Sequence, residues 1–241
     1  MRFGVLGAKP ASPKPTVFWL GKTIEETLNA PLYHEALVTL GDSVLNISLD
    51  MPGHGADHRG DEPTSLSSWR YRLEHGEDIA ASFVKRASGL LDYLLKERYT
   101  DPAHVAVFGI SRGGLMSLHF AAADARVGTI VLFSPVTDLL QLQELSQMEH
   151  PERARALAAV HLANRLYKDP IWISIGNTDH RVGTRQAIEF DERIIEASEA
   201  QGLVPPIELR VLPTSGHTTP DGAYVQAASW LLTQWHLTGP R

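Results

Sequence analysis

Three residue types that together can transfer an acyl group occur at informative places: a serine, a histidine and an aspartate. Ser111 stands in Gly109-Ile110-Ser111-Arg112-Gly113-Gly114. Before it runs Val105 to Phe108, β-branched and aromatic, and after it a helical pattern from Leu115 through Ala123. Strand, tight turn and helix give a Gly-x-Ser-x-Gly pattern its meaning: the serine sits on a strained turn crowded on both sides, so its neighbours must lack a Cβ. Its hydroxyl then projects above the sheet edge at the positive end of the helix beginning near Arg112. The alternative is a plain βα turn in which Ser111 caps that helix.

A serine hydroxyl needs a base within reach, and the base needs an acid to orient it. In a parallel sheet such groups meet on loops at the carboxyl ends of strands. That rule selects His217 from 11 histidines, because it lies in Leu212-Pro213-Thr214-Ser215-Gly216-His217-Thr218, between the last strand and the last helix. The matching acid is Asp179, in the loop Gly176-Asn177-Thr178-Asp179-His180 after the preceding strand. A turn or cap role is the alternative for Asp179. Asp138, beyond the strand that ends at Phe133, is the competing acid.

Apolar patterning predicts strands over 2–6, 16–20, 44–49, 104–108, 129–133, 171–175 and 207–212. Helical spacing covers 65–98 in two pieces meeting near Gly76, then 115–123, 185–200 and 220–235. Thr23-Ile24-Glu25-Glu26 opens a further helix that Pro31 must break or restart, with Leu32, Ala36 and Leu40 on one face. Strands alternating with helices predict an α/β fold, a mostly parallel central sheet with helices on both faces. Residues 1–241 read as a single domain, and the long polar stretch 139–168, with Pro151 at a break, as a short helical lid insertion.

The order Ser111, Asp179, His217 within this pattern resembles the α/β-hydrolase fold superfamily. Gly-Ile-Ser-Arg-Gly-Gly, Phe133-Ser134-Pro135-Val136-Thr137-Asp138, Gly176 to Val182 and Ser215-Gly216-His217 look like its prolyl-oligopeptidase-like and dienelactone-hydrolase-like esterase branch. The resemblance spans nearly the whole chain. It implies a serine hydrolase working without a cofactor, a carboxylesterase on small to medium acyl esters, with Ser111, His217 and Asp179 as triad. A peptidase or amidase using the same triad, and a non-catalytic ligand-binding protein of this fold, are the alternatives. It also implies an oxyanion hole of two backbone N–H groups. One belongs to Arg112; the other comes from the loop after strand 16–20, where relatives commonly carry His-Gly. Here that pair reads Leu20-Gly21, and Lys22 is the expected donor.

Composition narrows the partners. A net charge of −6 argues against a nucleic-acid or anionic-membrane surface; a small-molecule ester is the partner that the resemblance implies. The absence of cysteine removes disulfides and thiolate zinc sites and fits the cytoplasm, the expected location. Met1 to Ala11 is too interrupted by Gly4, Gly7 and Pro10 for a secretory h-region, and no apolar run reaches membrane-spanning length. Asp50, His54, Asp57, His58 and Asp61 crowd one loop, but His spacing in a Gly-rich loop carries little metal signal, and no metal is expected. Arg112 is expected to pair with a carboxylate near the turn or to contact substrate. Trp69, Tyr71 and Met148 are candidates for the pocket wall, or ordinary core and lid anchors.

Overall fold

Successive side chains on a strand point to opposite faces, and the central strands of this protein bury both. Val105, Val107, Ile130, Leu132, Ile171 and Ile173 enter one core, while Ala106, Phe108, Val131, Phe133 and Trp172 enter the other. This two-sided burial is why those strands read as near-continuous apolar runs.

The computed structural model describes residues 2–239. In chain order its elements are β1 (Gly4–Val5), β2 (Lys14–Leu20), α1 (Ile24–Leu28), α2 (His34–Leu40), β3 (Leu45–Ser48), α3 (Leu66–Glu74), α4 (Ile79–Lys96) and β4 (Thr100–Ile110). Then follow α5 (Arg112–Ala123), β5 (Thr129–Phe133), α6 (Pro151–Arg155), α7 (Ala163–Leu166), β6 (Ile171–Gly176), α8 (Thr184–Glu199), β7 (Ile207–Leu212) and α9 (Ala223–Gln234). The seven strands lie in the order β1-β3-β2-β4-β5-β6-β7. Every pairing is parallel except β1 with β3. Helices α3, α4, α5 and α8 bury their apolar sides in the first core; α1, α2 and α9 cover the second. This is the α/β-hydrolase architecture, with the carboxyl ends of β4, β6 and β7 opening on one rim.

Several boundaries differ from the apolar pattern for identifiable reasons. Strand β4 starts at Thr100, not at 104, because Thr100 pairs with Lys14 before a register shift returns the strand to Val105 opposite Thr16. Polar Asp101 and Pro102 hide that extension from any hydrophobic reading. Leu32 does not share the buried face of Ala36 and Leu40: it is 54% exposed. Pro31 starts a separate 3-10 turn over 31–33 that rotates Leu32 away from the core.

The stretch 139–168 folds as short 3-10 turns together with α6 and α7, not as long helices. Its Leu139, Leu142, Leu145, Leu157, Leu162 and Leu166 sink into the first core. His119 Nε2 on α5 donates to the Leu157 carbonyl at 2.9 Å and ties the stretch down. None of its residues lines the cavity described below.

Candidate active site

Gly113 shows how closely the chain must approach itself to build the turn at Ser111. A Cβ at Gly113 would stand 1.8 Å from the Leu20 carbonyl oxygen, so only glycine lets α5 start against the end of β2. Ser111 itself adopts φ 53° and ψ −117°, a backbone region that side chains rarely enter. The surroundings fix it there: Ser111 N–H donates to the Phe133 carbonyl at 3.0 Å, and Ser111 C=O accepts from Gly114 and Val136, both at 2.9 Å. The hydroxyl makes no capping bond to α5. It turns instead to His217, whose Nε2 lies 3.0 Å from Ser111 Oγ.

The same imidazole reaches Asp179 through its other nitrogen, Nδ1 to Oδ2 at 2.7 Å. A carboxylate only accepts, so the ring proton sits on Nδ1 and Nε2 is left to accept the Ser111 hydroxyl hydrogen. Asp179 is 1% exposed, and its second oxygen is held by the backbone N–H groups of Arg181 at 3.0 Å and Val182 at 3.2 Å. The carboxylate therefore cannot turn away from the ring. Asp138 does other work: its Oδ1 accepts from Leu140 N–H at 2.9 Å and caps the turn at 139–141.

The two expected oxyanion donors differ in state. Arg112 N–H, first in α5, has no acceptor among the described residues and is free at the positive helix end. Lys22 N–H is engaged: it donates to Thr27 Oγ1 at 3.0 Å. The loop carrying Lys22 is braced from two sides. Asp50 Oδ1 accepts from Ile24 N–H at 2.8 Å, and Met51 N–H donates to the Lys22 carbonyl at 2.9 Å. A capping box at Thr23 and Glu26 fixes the start of α1.

That bracing also says what the acidic, histidine-containing loop 50–61 does. Asp57 pairs with the buried Arg72 at 2.6 Å, and Arg72 also holds Glu62 at 2.6 Å. His54 Nδ1 donates to the Pro52 carbonyl at 2.8 Å, leaving Nε2 to accept from Arg112 Nη1 at 2.7 Å. Burial pushes the His54 pKa down, which keeps the ring neutral beside the guanidinium. The same Nη1 donates to Ser65 Oγ at 2.6 Å, so Arg112 clamps this loop to the start of α3 through neutral partners.

Ser111 and His217 open on a cavity of about 560 Å³. Its walls are largely apolar and aromatic, from Leu32, Tyr33, Ile110, Phe133 and Tyr224, with Lys22, Glu26 and Thr27 at one side. The ring of Tyr224 packs 4.4 Å from Phe133 and 5.1 Å from Tyr33 between centroids. Burial raises the Tyr224 pKa to about 12, so the phenol stays neutral and shares a 3.0 Å hydrogen bond with Thr219. Trp69, Tyr71 and Met148 stand outside this wall. Trp69 is fully buried with its Nε1 donating to Pro52, Met148 lies in the first core, and Tyr71 lies against His75. Sequence reasoning missed the true wall because Tyr33 and Tyr224 meet there from opposite ends of the chain.

Sheet order, strained serine turn and Ser–His–Asp chain define an α/β-hydrolase fold protein. Residues 76–237 match the prolyl oligopeptidase family, and the chain belongs to that family. No curated protein matches it by sequence. Among solved structures it is similar to TT1662 from Thermus thermophilus, with 20% identity, 98% of each chain covered and a TM-score of 0.68. Est1E from Butyrivibrio proteoclasticus, solved with ferulic acid, aligns at 17% identity over 98% of this chain and 95% of that one, with a TM-score of 0.66. Acetyl xylan esterase 1 from a Thermoanaerobacterium species aligns at 17% identity over 97% and 78%, with a TM-score of 0.64. These likenesses establish the fold, and the family match beside esterase neighbours supports a serine hydrolase. No helix among the described residues is long and apolar enough to cross a membrane.

Proposed function

We propose that the protein is a carboxylesterase acting on small to medium acyl esters, with Ser111 as nucleophile, His217 as general base and Asp179 as orienting acid. The observation that carries this reading is the unbroken hydrogen-bonded chain from Asp179 through His217 to Ser111 at the floor of an apolar cavity. As Ser111 Oγ attacks the ester carbonyl, His217 Nε2 takes its proton, and the carbonyl electrons collect on the oxygen facing Arg112 N–H. Collapse of this intermediate breaks the acyl–oxygen bond, and His217 returns the proton to the departing alcohol. Water then enters, gives a proton to the same nitrogen and attacks the acyl-serine; the acid leaves and Ser111 recovers its hydrogen. Asp179 steadies the imidazolium present in both halves. No cofactor enters these steps, and the cysteine-free sequence fits the cytoplasm as the place of action.

The family match favours a second reading, a peptidase or amidase with the same triad. A panel of nitrophenyl acyl esters against aminoacyl anilides separates the two: ester turnover is expected to dominate, and faster anilide turnover would transfer the assignment. Labelling with a fluorophosphonate tests the nucleophile. Prompt adduct formation lost in Ser111→Ala is expected, whereas folded wild-type protein that never labels would mark a ligand-binding relative.

A further inference from the structure

Thr27 takes up the backbone N–H that was expected to serve the oxyanion. It lies on α1, is 2% exposed, and nevertheless contributes to the wall of the Ser111 cavity. Its hydroxyl accepts the Lys22 N–H at 3.0 Å, so the backbone donor expected to face the substrate points into a side chain instead. The contact is close-fitting: a Cβ on Gly21 would stand 3.2 Å from Thr27 Oγ1. A Cβ on Gly113, two residues past the nucleophile, would in turn stand 2.9 Å from Gly21 N. Thr27, the Gly21 loop and the Ser111 turn thus pack as one unit.

A threonine hydroxyl has one hydrogen to give and accepts with the oxygen. Here the oxygen is taken by Lys22, and no group among the described residues accepts the hydrogen. A hydroxyl that already accepts a hydrogen bond becomes a stronger donor, because the two bonds polarise one another. Helix α1 holds it rigidly through the Thr23–Glu26 capping box, and the Thr27 N–H is bonded to the Thr23 carbonyl at 3.0 Å. Fixed donors aimed at developing charge are what stabilise a tetrahedral oxyanion.

We propose that the Thr27 hydroxyl, not the Lys22 amide, is the second oxyanion donor, with Lys22 N–H polarising it from behind. This rests on the serine-hydrolase reading above and adds a catalytic residue to it. The hole is then asymmetric, one backbone N–H from Arg112 and one side-chain O–H from α1.

The test compares Thr27→Val and Thr27→Ser with wild type on a nitrophenyl ester, with kcat expressed per site labelled by a fluorophosphonate so that only folded, nucleophilic enzyme is counted. The valine variant keeps the shape and loses the donor; kcat is expected to fall about 100-fold or more with KM changed little, while the serine variant retains most of the rate. Wild-type or faster turnover by Thr27→Val would overturn the proposal, since it would mean that the freed Lys22 N–H serves the oxyanion. Equal losses in both variants would also overturn it, assigning Thr27 to packing. Should the valine variant fail to fold, Thr27→Ala replaces it with the same expected loss. Wild type that neither labels nor turns over an ester removes the nucleophile reading itself, a failure visible before any Thr27 variant is compared.

Discussion

Asp179 and His217 lie 38 residues apart in the chain and 2.7 Å apart in the fold, Oδ2 to Nδ1. The contact is made by two loops leaving adjacent parallel strands, β6 and β7, whose register sets Gly176 opposite Leu212. Thr178 Oγ1 donates to the Thr214 carbonyl at 2.6 Å and stitches the loops together. Asp179→Asn is therefore expected to lower kcat by roughly four orders of magnitude, as removal of an orienting carboxylate does at such sites. Asp138→Asn is expected to leave most activity, because Asp138 only caps a turn. Steady-state kinetics of the two variants ranks them, and the reverse order would exchange their roles.

Gly113→Ala tests the close approach that shapes the turn at Ser111. The added methyl meets the Leu20 carbonyl, a backbone atom with no freedom to move without shifting the loop that carries Gly21 and Lys22. A loss of about 1–3 kcal/mol in stability is expected from such overpacking, together with a large fall in kcat. Gly128→Ala is the control, since nothing lies within 4 Å of a Cβ there. Urea melts of both variants make the comparison; equal melting would show that the turn at Ser111 has slack.

What could be read from the residues, and what could not, divides along one line. Strands 129–133 and 207–212 coincide with their apolar runs, and the break between α3 and α4 falls at Gly76, whose φ is +80°. Local chemistry marks each of these. That Ser111 and His217 come together was legible because a parallel sheet leaves few places where distant loops can meet. The engagement of Lys22 N–H was not, since it depends on one hydroxyl five residues away on a helix whose rotation no pattern specifies. The short elements within 139–168 were not legible for a related reason: composition there favours helix, but the leucines pack into a core shared with α5 and α8.

Two histidines give stability a pH dependence with a definite sign. Burial lowers the pKa of His54 and of His119 below the ordinary 6.5. The unfolded chain then binds more protons than the folded one as pH drops below about 6.5. The contribution of each neutral ring is fully present above that value and is lost as pH falls toward the depressed folded pKa. Arg112, which faces His54 Nε2, opposes a second positive charge and reinforces the effect of burial, while the hydrogen bond from Nδ1 to the Pro52 carbonyl works against it without reversing it. Thermal midpoints are expected to decline between pH 6.5 and 5, and less steeply in His119→Gln than in wild type. Parallel slopes in the two proteins would remove His119 from the account.

Leu32 is the place where substrate size should be felt. It lines the cavity yet is 54% exposed, an apolar side chain left uncovered beside Ser111 by the turn that Pro31 starts. An acyl or alcohol chain lying along it would bury that surface, and the gain would accrue to the complex, not to the fold. Leu32→Ala should therefore leave stability within about 0.5 kcal/mol of wild type, as exposed substitutions do. Acetyl esters, too short to reach the side chain, should be hydrolysed unchanged. For hexanoyl esters KM is expected to rise about fivefold, since covering some 40 Å² of apolar surface is worth about 1 kcal/mol. Kinetics across a series of nitrophenyl esters from acetyl to octanoyl measures this, and a uniform effect on all chain lengths would place the acyl group along the Phe133 and Tyr224 wall instead.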